Sequence, residues 1–202
     1  TIRDITERKL AEQKLLQRSQ ELKRMNRELE FMALNDTLTG LGNRNQFTDN
    51  LSNLIASCRR NQTSFSLLMM DLNKFKEVND SYGHEAGDEV LRVVGERFKA
   101  LSRDADRLFR LGGDEFAALI TTSVTDSGLA IMAERIIQTI EVPIPYDSTE
   151  LSIGISIGIV IFPEHSENEE ELLRVADNTM YQAKRGRLGY LIATAPDKSA
   201  TA

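Results

Sequence analysis

The sequence predicts an α+β sandwich, a mixed central sheet covered by helices, preceded by a long coiled-coil helix. Residues 1–30 contain no Gly, Pro or aromatic and are dense in Lys, Arg, Glu, Gln and Leu, all good helix formers. Beyond Phe31, segments with helical spacing alternate with short apolar runs, the pattern of helices packed on a sheet. Within that region Gly112-Gly113 separates two apolar stretches, which reads as one tight antiparallel hairpin.

The first element carries Leu15, Leu22 and Leu29 seven residues apart, with Met25 and Met32 interleaved. That spacing is the seam of a coiled coil, although extending it backwards places Arg18 and Arg8 in the seam. Residues 1–32 are therefore assigned to a signalling helix, 33–194 to a folded domain and 195–202 to a flexible tail. The abrupt start, without Met, is read as the trimmed end of an upstream domain. Next, "FSLLMMDL" (65–72) is a continuous apolar run ending in Asp71, as expected of a central strand covered on both faces. Val90, Leu91, Val94 and Phe98 follow helical spacing within 83–100, and the hairpin follows. A helix is expected over 126–140, a strand over 151–162 ("LSIGISIGIVIF"), a last helix from Glu169 to Lys184 and a short strand at 190–194. The order helix, strand, helix, strand, strand, helix, strand, helix, strand suits a ferredoxin-like sandwich.

Composition narrows the function. The 202 residues carry 25 Lys+Arg against 31 Asp+Glu, a net charge of −6, so no global basic field points to nucleic acid or to an anionic membrane. A single cysteine, Cys58, forms no internal disulfide, and no apolar run reaches the roughly 20 residues of a membrane span. A cytoplasmic location is expected, with any membrane attachment left to missing upstream segments. Sequons such as Asn61-Gln62-Thr63 are read as chance.

The chemistry is concentrated in two carboxylates. Asp71 ends the central strand and Asp114 opens the second arm of the hairpin. If those strands pair, both emerge at one sheet edge, where Mg²⁺ needs one or two carboxylates and takes its other ligands from water and substrate phosphates. Read singly, Gly112-Gly113 is a plain type I′ turn and each Asp a solvated strand end. Read together, two residues without side chains beside two acids allow a bulky anion to approach the backbone next to a cation.

These residues carry a family resemblance. "RLGGDEF" (110–116) resembles the signature of the GGDEF diguanylate cyclases, and "DTLTGLGNRNQF" (36–47), "DLNKFKEVNDSYGHEAGD" (71–88), "SIGI" (156–159) and "ADNTMYQAK" (176–184) resemble four further motifs of that family in order. The resemblance covers about residues 33–194 and implies the palm-like domain shared with nucleotide cyclases and some polymerases. It implies that two GTP molecules are joined into cyclic di-GMP with release of pyrophosphate, with two Mg²⁺ (or Mn²⁺) ions held by Asp71, Asp114 and the Leu72 carbonyl. Glu115 would complete the metal site and assist deprotonation of the attacking hydroxyl. Backbone amides near Phe75 and Lys76 would cradle the terminal phosphates, and Lys184 would add a point charge. Asp88 would accept from guanine N1–H and N2 as a buried carboxylate, with Asn79 on the other polar groups. Arg103 and Asp106 match the family's product-binding inhibitory site, where an Arg fork suits guanine O6 and N7. A homodimer is expected, since the product has two symmetric halves. "DITERKLAEQ" resembles the exit of a PAS sensor domain.

Other readings of the same residues fail. "DLNKFKEVNDSYGHE" is no EF-hand, because Lys76 stands where the loop needs Gly, and G-x-x-x-x-G-K-[ST] is absent. His84 is read as a structural hydrogen-bonding residue, Phe75 and Tyr82 as packing residues that need no catalytic role, and His165 is assigned nothing. Three departures from the family are noted: Asn73 in place of Asp, Gly42 in place of Pro, and Arg187 one residue early after Lys184. The alternative function is a catalytically silent module that binds GTP or cyclic di-GMP.

Overall fold

The computed structural model describes residues 14, 17–25, 29, 31–102, 106–122 and 125–195. Within them, β1 (Phe65–Asn73), β2 (Arg107–Gly112), β3 (Glu115–Ile120), β6 (Gly154–Phe162) and β7 (Tyr190–Ile192) form one sheet in the order β2-β3-β1-β6-β7. Only β6 and β7 run parallel. The mixed sheet and the central position of β1 are as the sequence predicts. The first four of these strands, in the spatial order second, third, first, fourth, give the ferredoxin-like arrangement.

Helices cover both faces. On one lie α2 (Phe75–Tyr82), α3 (His84–Leu101) and α4 (Asp126–Ile140), which bury Val90, Val94, Phe98, Leu129, Ala133 and Ile140 against Leu68, Met70, Phe116 and Ile157. On the other lie α1 (Arg44–Asn61) and α5 (Glu169–Gly186), which bury Leu51, Ile55, Leu172 and Ala176 against Phe65, Leu67, Met69 and Val160. Alternate residues of β1 therefore enter opposite cores, which is why its sequence is apolar without a break. Phe65 stacks on Phe162 with ring centroids 5.2 Å apart.

The helix ends follow local chemistry. The side chains of Asn43, Thr125 and Asn168 cap α1, α4 and α5 by accepting from the backbone N–H three residues on. Three glutamates open α5 and Lys184 and Arg185 close it, complementing the helix dipole. Close packing also depends on Gly158: a Cβ there would lie 2.2 Å from the Met180 nitrogen and 2.6 Å from the Ala176 oxygen, so α5 rests its backbone directly on β6.

Three expectations change. The strand expected over 151–162 is interrupted: Thr149–Leu151 is β5, paired with β4 (Ile144–Tyr146) in a separate two-stranded sheet, and β6 starts only at Gly154. Residues 75–82 form their own helix, isolated by Lys74 at φ 66° and Gly83 at φ 86°. The last strand ends at Ile192 rather than 194.

At the N-terminus, residues 17–25 and 31–34 are helical and the seam residues Leu22, Met25, Leu29 and Met32 are 52–62% exposed. Leu15, Arg8 and the PAS-like stretch lie outside the described residues, as do 196–202 of the expected tail. No described helix is long and apolar enough to cross a membrane.

Candidate active site

Antiparallel pairing of β1 with β3 sets Asp71 directly opposite Glu115. One step further on, the Leu72 N–H donates to the Asp114 carbonyl at 3.1 Å. Asp71, Asp114 and Glu115 thus share one edge of the sheet, as the strand-end argument requires. Lys184 arrives from the last turn of α5, and its Nζ donates to Asp71 Oδ1 at 2.5 Å. Burial pushes the Asp71 carboxyl above its ordinary range; the Lys184 hydrogen bond and charge pull it down, and the charges of Asp114 and Glu115 push it up.

The Gly-Gly turn lies open beside these acids. Nothing lies within 4 Å of where a Cβ would stand at Gly112 or Gly113, so a large anion can approach the backbone. The turn is not type I′. Positive φ falls on Gly112 (141°) and Gly113 (55°) and not on Asp114, and the β2–β3 register shifts between Arg110 and Gly112. A type I′ turn would need positive φ at both central residues, Gly113 and Asp114.

Around the turn sits a frame that sequence reasoning missed. Arg110 donates to the Gly113 carbonyl through Nε (3.0 Å) and Nη2 (2.9 Å), while its Nη1 meets both Asp36 carboxylate oxygens at 3.1–3.2 Å. Asp36 also accepts from the Thr39 amide (2.8 Å) and hydroxyl (2.7 Å). Arg44 donates to the Leu111 carbonyl at 3.0 Å and faces Glu115 Oε2 at 3.4 Å. All three residues stand inside quoted motifs; what was not legible is contact across 67 to 74 positions.

The residues expected on the nucleotide side are placed as follows. Phe75 is half-buried against the core and Lys76 is exposed, both in the first turn of α2, whose leading N–H groups have no intrahelical acceptor. Asn79 is half-buried and its amide oxygen lies 2.0 Å from where a Cβ at Gly87 would stand, so only glycine admits it there. Asp88, expected as a buried carboxylate, is exposed in the first turns of α3, because Ala86 and Gly87 take the inward positions. Arg187 caps α5 at φ 54° and, with Lys74 and Lys184, lines a cleft of 910 Å³. Of the pair expected at an inhibitory site, Asp106 is half-buried beside a small cavity of 20 Å³, and Arg103 lies outside the described residues. His165, assigned nothing, is buried and accepts the Ile161 N–H at 2.7 Å through Nδ1.

Among the described residues no three His, Cys, Asp or Glu side chains form a cage for a metal. Mg²⁺ does not ask for one, since it keeps water and takes substrate phosphates. The Asp71 carboxyl, pushed up first by burial and then by the charges of Asp114 and Glu115 against the pull of Lys184, is the kind of single ligand such a cation takes.

Comparison with known proteins points to one family. The family model "Diguanylate cyclase, GGDEF domain" matches residues 33–188. The bifunctional diguanylate cyclase/cyclic di-GMP phosphodiesterase MucR of Pseudomonas aeruginosa is 43% identical over 84% of the chain, which spans 25% of MucR. The GGDEF domain of TpbB (YfiN) from P. aeruginosa superposes with a TM-score of 0.75 at 36% identity, covering 79% of this chain and 94% of that one. The coiled coil and GGDEF domain of DgcB from Caulobacter crescentus, solved with c-di-GMP, gives 0.77 at 28% identity, covering 90% of this chain and 98% of that one. The chain belongs to the GGDEF diguanylate cyclase family.

Proposed function

We propose that this chain is an active cyclase that condenses two GTP into cyclic di-GMP and pyrophosphate. The observation that carries the reading is the convergence of Asp71, Asp114, Glu115 and Lys184 on one sheet edge beside the open Gly112–Gly113 backbone.

Asp71, Asp114, Glu115 and the Leu72 carbonyl would hold Mg²⁺ or Mn²⁺, two ions per site. When bound, such ions neutralise charge on the attacking and leaving oxygens. Each 3′-hydroxyl oxygen forms a bond to the other nucleotide's α-phosphorus as the bond to pyrophosphate breaks, and Glu115 assists loss of the hydroxyl proton. Lys184 meets the phosphate charge, and the amides of Phe75 and Lys76 receive the terminal phosphates. Asn79 and Asp88 read guanine. Arg103 and Asp106 form the site of product feedback.

Two sites must face each other, so the acting species is a homodimer. The exposed seam of Leu22, Met25, Leu29 and Met32 supports this, because an apolar stripe of that kind is covered by a second helix. The helix reads as the connection from an upstream sensor. The second reading is a silent nucleotide-binding module.

The deciding experiment is chromatographic detection of cyclic di-GMP from GTP and Mg²⁺, with ATP as competitor. Turnover is expected, with preference for GTP that falls in Asp88→Ser. Because Asp88 is exposed, discrimination should be about 10-fold rather than the larger factor a buried carboxylate would give. Nucleotide binding without product would replace the cyclase by the silent module.

A further inference from the structure

Arg44 is the first residue of α1, directly after its cap Asn43. Its Nε is committed to the Leu111 carbonyl at 3.0 Å. A backbone acceptor does not change rotamer, so this bond sets the plane of the guanidinium, and Nη2 is the arm left to meet Glu115 Oε2 at 3.4 Å. Asp177 of α5 lies within electrostatic reach of the same group. The two carboxylates that face each other across β1 and β3 therefore each have one cation, delivered by different helices: Lys184 from α5 for Asp71, Arg44 from α1 for Glu115.

We propose that Arg44 is a positioning residue for Glu115, holding its carboxylate at the sheet edge in the orientation that turnover needs. The Arg44 and Glu115 side chains are 61% and 47% exposed, and an ion pair so wet adds little to fold stability. What the contact does supply is restriction of a long, rotatable side chain, fixed in turn by a backbone bond one strand away.

This inference rests on the cyclase reading, and its test separates the two. In the full chain, Arg44→Gln should lower kcat about 10-fold, leave KM for GTP within about twofold and leave Tm within about 2 °C. Arg44→Lys keeps charge and helix propensity but lacks the fork, and should recover less than about half of the lost rate. Independently of turnover, Mn²⁺ binding in the presence of 3′-deoxy-GTP, followed by electron paramagnetic resonance, should tighten about threefold in Arg44→Gln, because a cation beside a ligand is removed. That change should vanish when Glu115→Gln is already present. Wild-type kcat in either variant, or equal shifts in Mn²⁺ affinity with and without Glu115, overturns the proposal. If the wild type makes no product, the cyclase reading fails while the Mn²⁺ cycle still decides whether Arg44 acts through Glu115.

Discussion

Lys184 Nζ stands 2.5 Å from Asp71 Oδ1, so the last turn of α5 is bonded to the end of the central strand at the acidic edge. The ammonium occupies the place of a counterion without relieving the whole of the charge there, since the Asp71 carboxyl still lies above its ordinary range through burial, against the pull of Lys184, and through Asp114 and Glu115. A carboxyl raised in this way favours folding below its unfolded value, and that contribution is lost as pH rises through its native value. At pH 7 and without metal, ionised Asp71 is thus a net cost. Asp71→Asn is expected to raise the Tm of protein in EDTA by about 2–4 °C, a change of roughly 1 kcal/mol, while abolishing cyclic di-GMP synthesis. Scanning calorimetry with and without Mg²⁺ checks the first and chromatography of the product the second; a lower Tm in EDTA would remove the argument.

The Asp36–Arg110 pair acts in the opposite direction. Burial raises the Asp36 carboxyl, but the Thr39 hydroxyl and amide and the Arg110 charge and hydrogen bond outweigh it, and the group ends below its ordinary value. Its stabilising contribution is present above the unfolded carboxylate pKa and disappears as pH falls through the native one. Asp36→Asn should therefore cost about 1–3 kcal/mol at pH 7, with the gap to wild type closing toward pH 3 in denaturant titrations. Because Arg110 also grips the Gly113 carbonyl, amide exchange at the Gly-Gly turn should quicken in the same variant. Unchanged exchange there would show that the pair does not support the turn.

His165 gives a third test. Burial lowers its pKa, against the raising influence of Glu164, Asp126 and a hydrogen bond with the Ala193 backbone. The imidazole is kept neutral, accepting the Ile161 N–H. A histidine depressed in the native state stabilises above its unfolded pKa of about 6.5, and this is lost as pH falls toward the native value. Wild-type stability should thus decline between pH 7 and pH 5.5 with a slope of up to about 1.4 kcal/mol per pH unit. His165→Asn, which retains an acceptor for Ile161, should flatten that segment. Parallel profiles would mean that other groups titrate there.

These contacts show what can be read from a sequence and what waits for a fold. Asp71 and Asp114 are legible because each stands at the end of an apolar run, and strand pairing alone brings two such ends together. Asp36, Arg44 and Arg110 are not, although each lies in a quoted motif, because their partners are decided by a ladder register and by where α1 begins. Helix α2 is hidden for a different reason: its eight residues contribute one fully buried side chain, Val78, too few to establish a period. The split of the 151–162 run turns on Leu151 pairing with Ile144 in a second sheet, which alternation of apolar residues along one segment does not encode. Asp88 was expected as a buried carboxylate, but it faces water because Ala86 and Gly87 take the inward positions of α3.

The bare backbone at Gly158 has a mechanical meaning. Helix α5 touches β6 there through the Ala176 carbonyl and the Met180 amide, so the two elements meet at a hard point rather than through compressible side chains. Lys184 stands one helical turn beyond Met180, about 6 Å along the axis. A tilt of about 10° around that point would carry the lysine's root by about 1 Å, enough to break a 2.5 Å contact with Asp71. Gly158 is therefore the fulcrum of a short lever, and the reach of Lys184 to Asp71 depends on a residue that has no side chain at all.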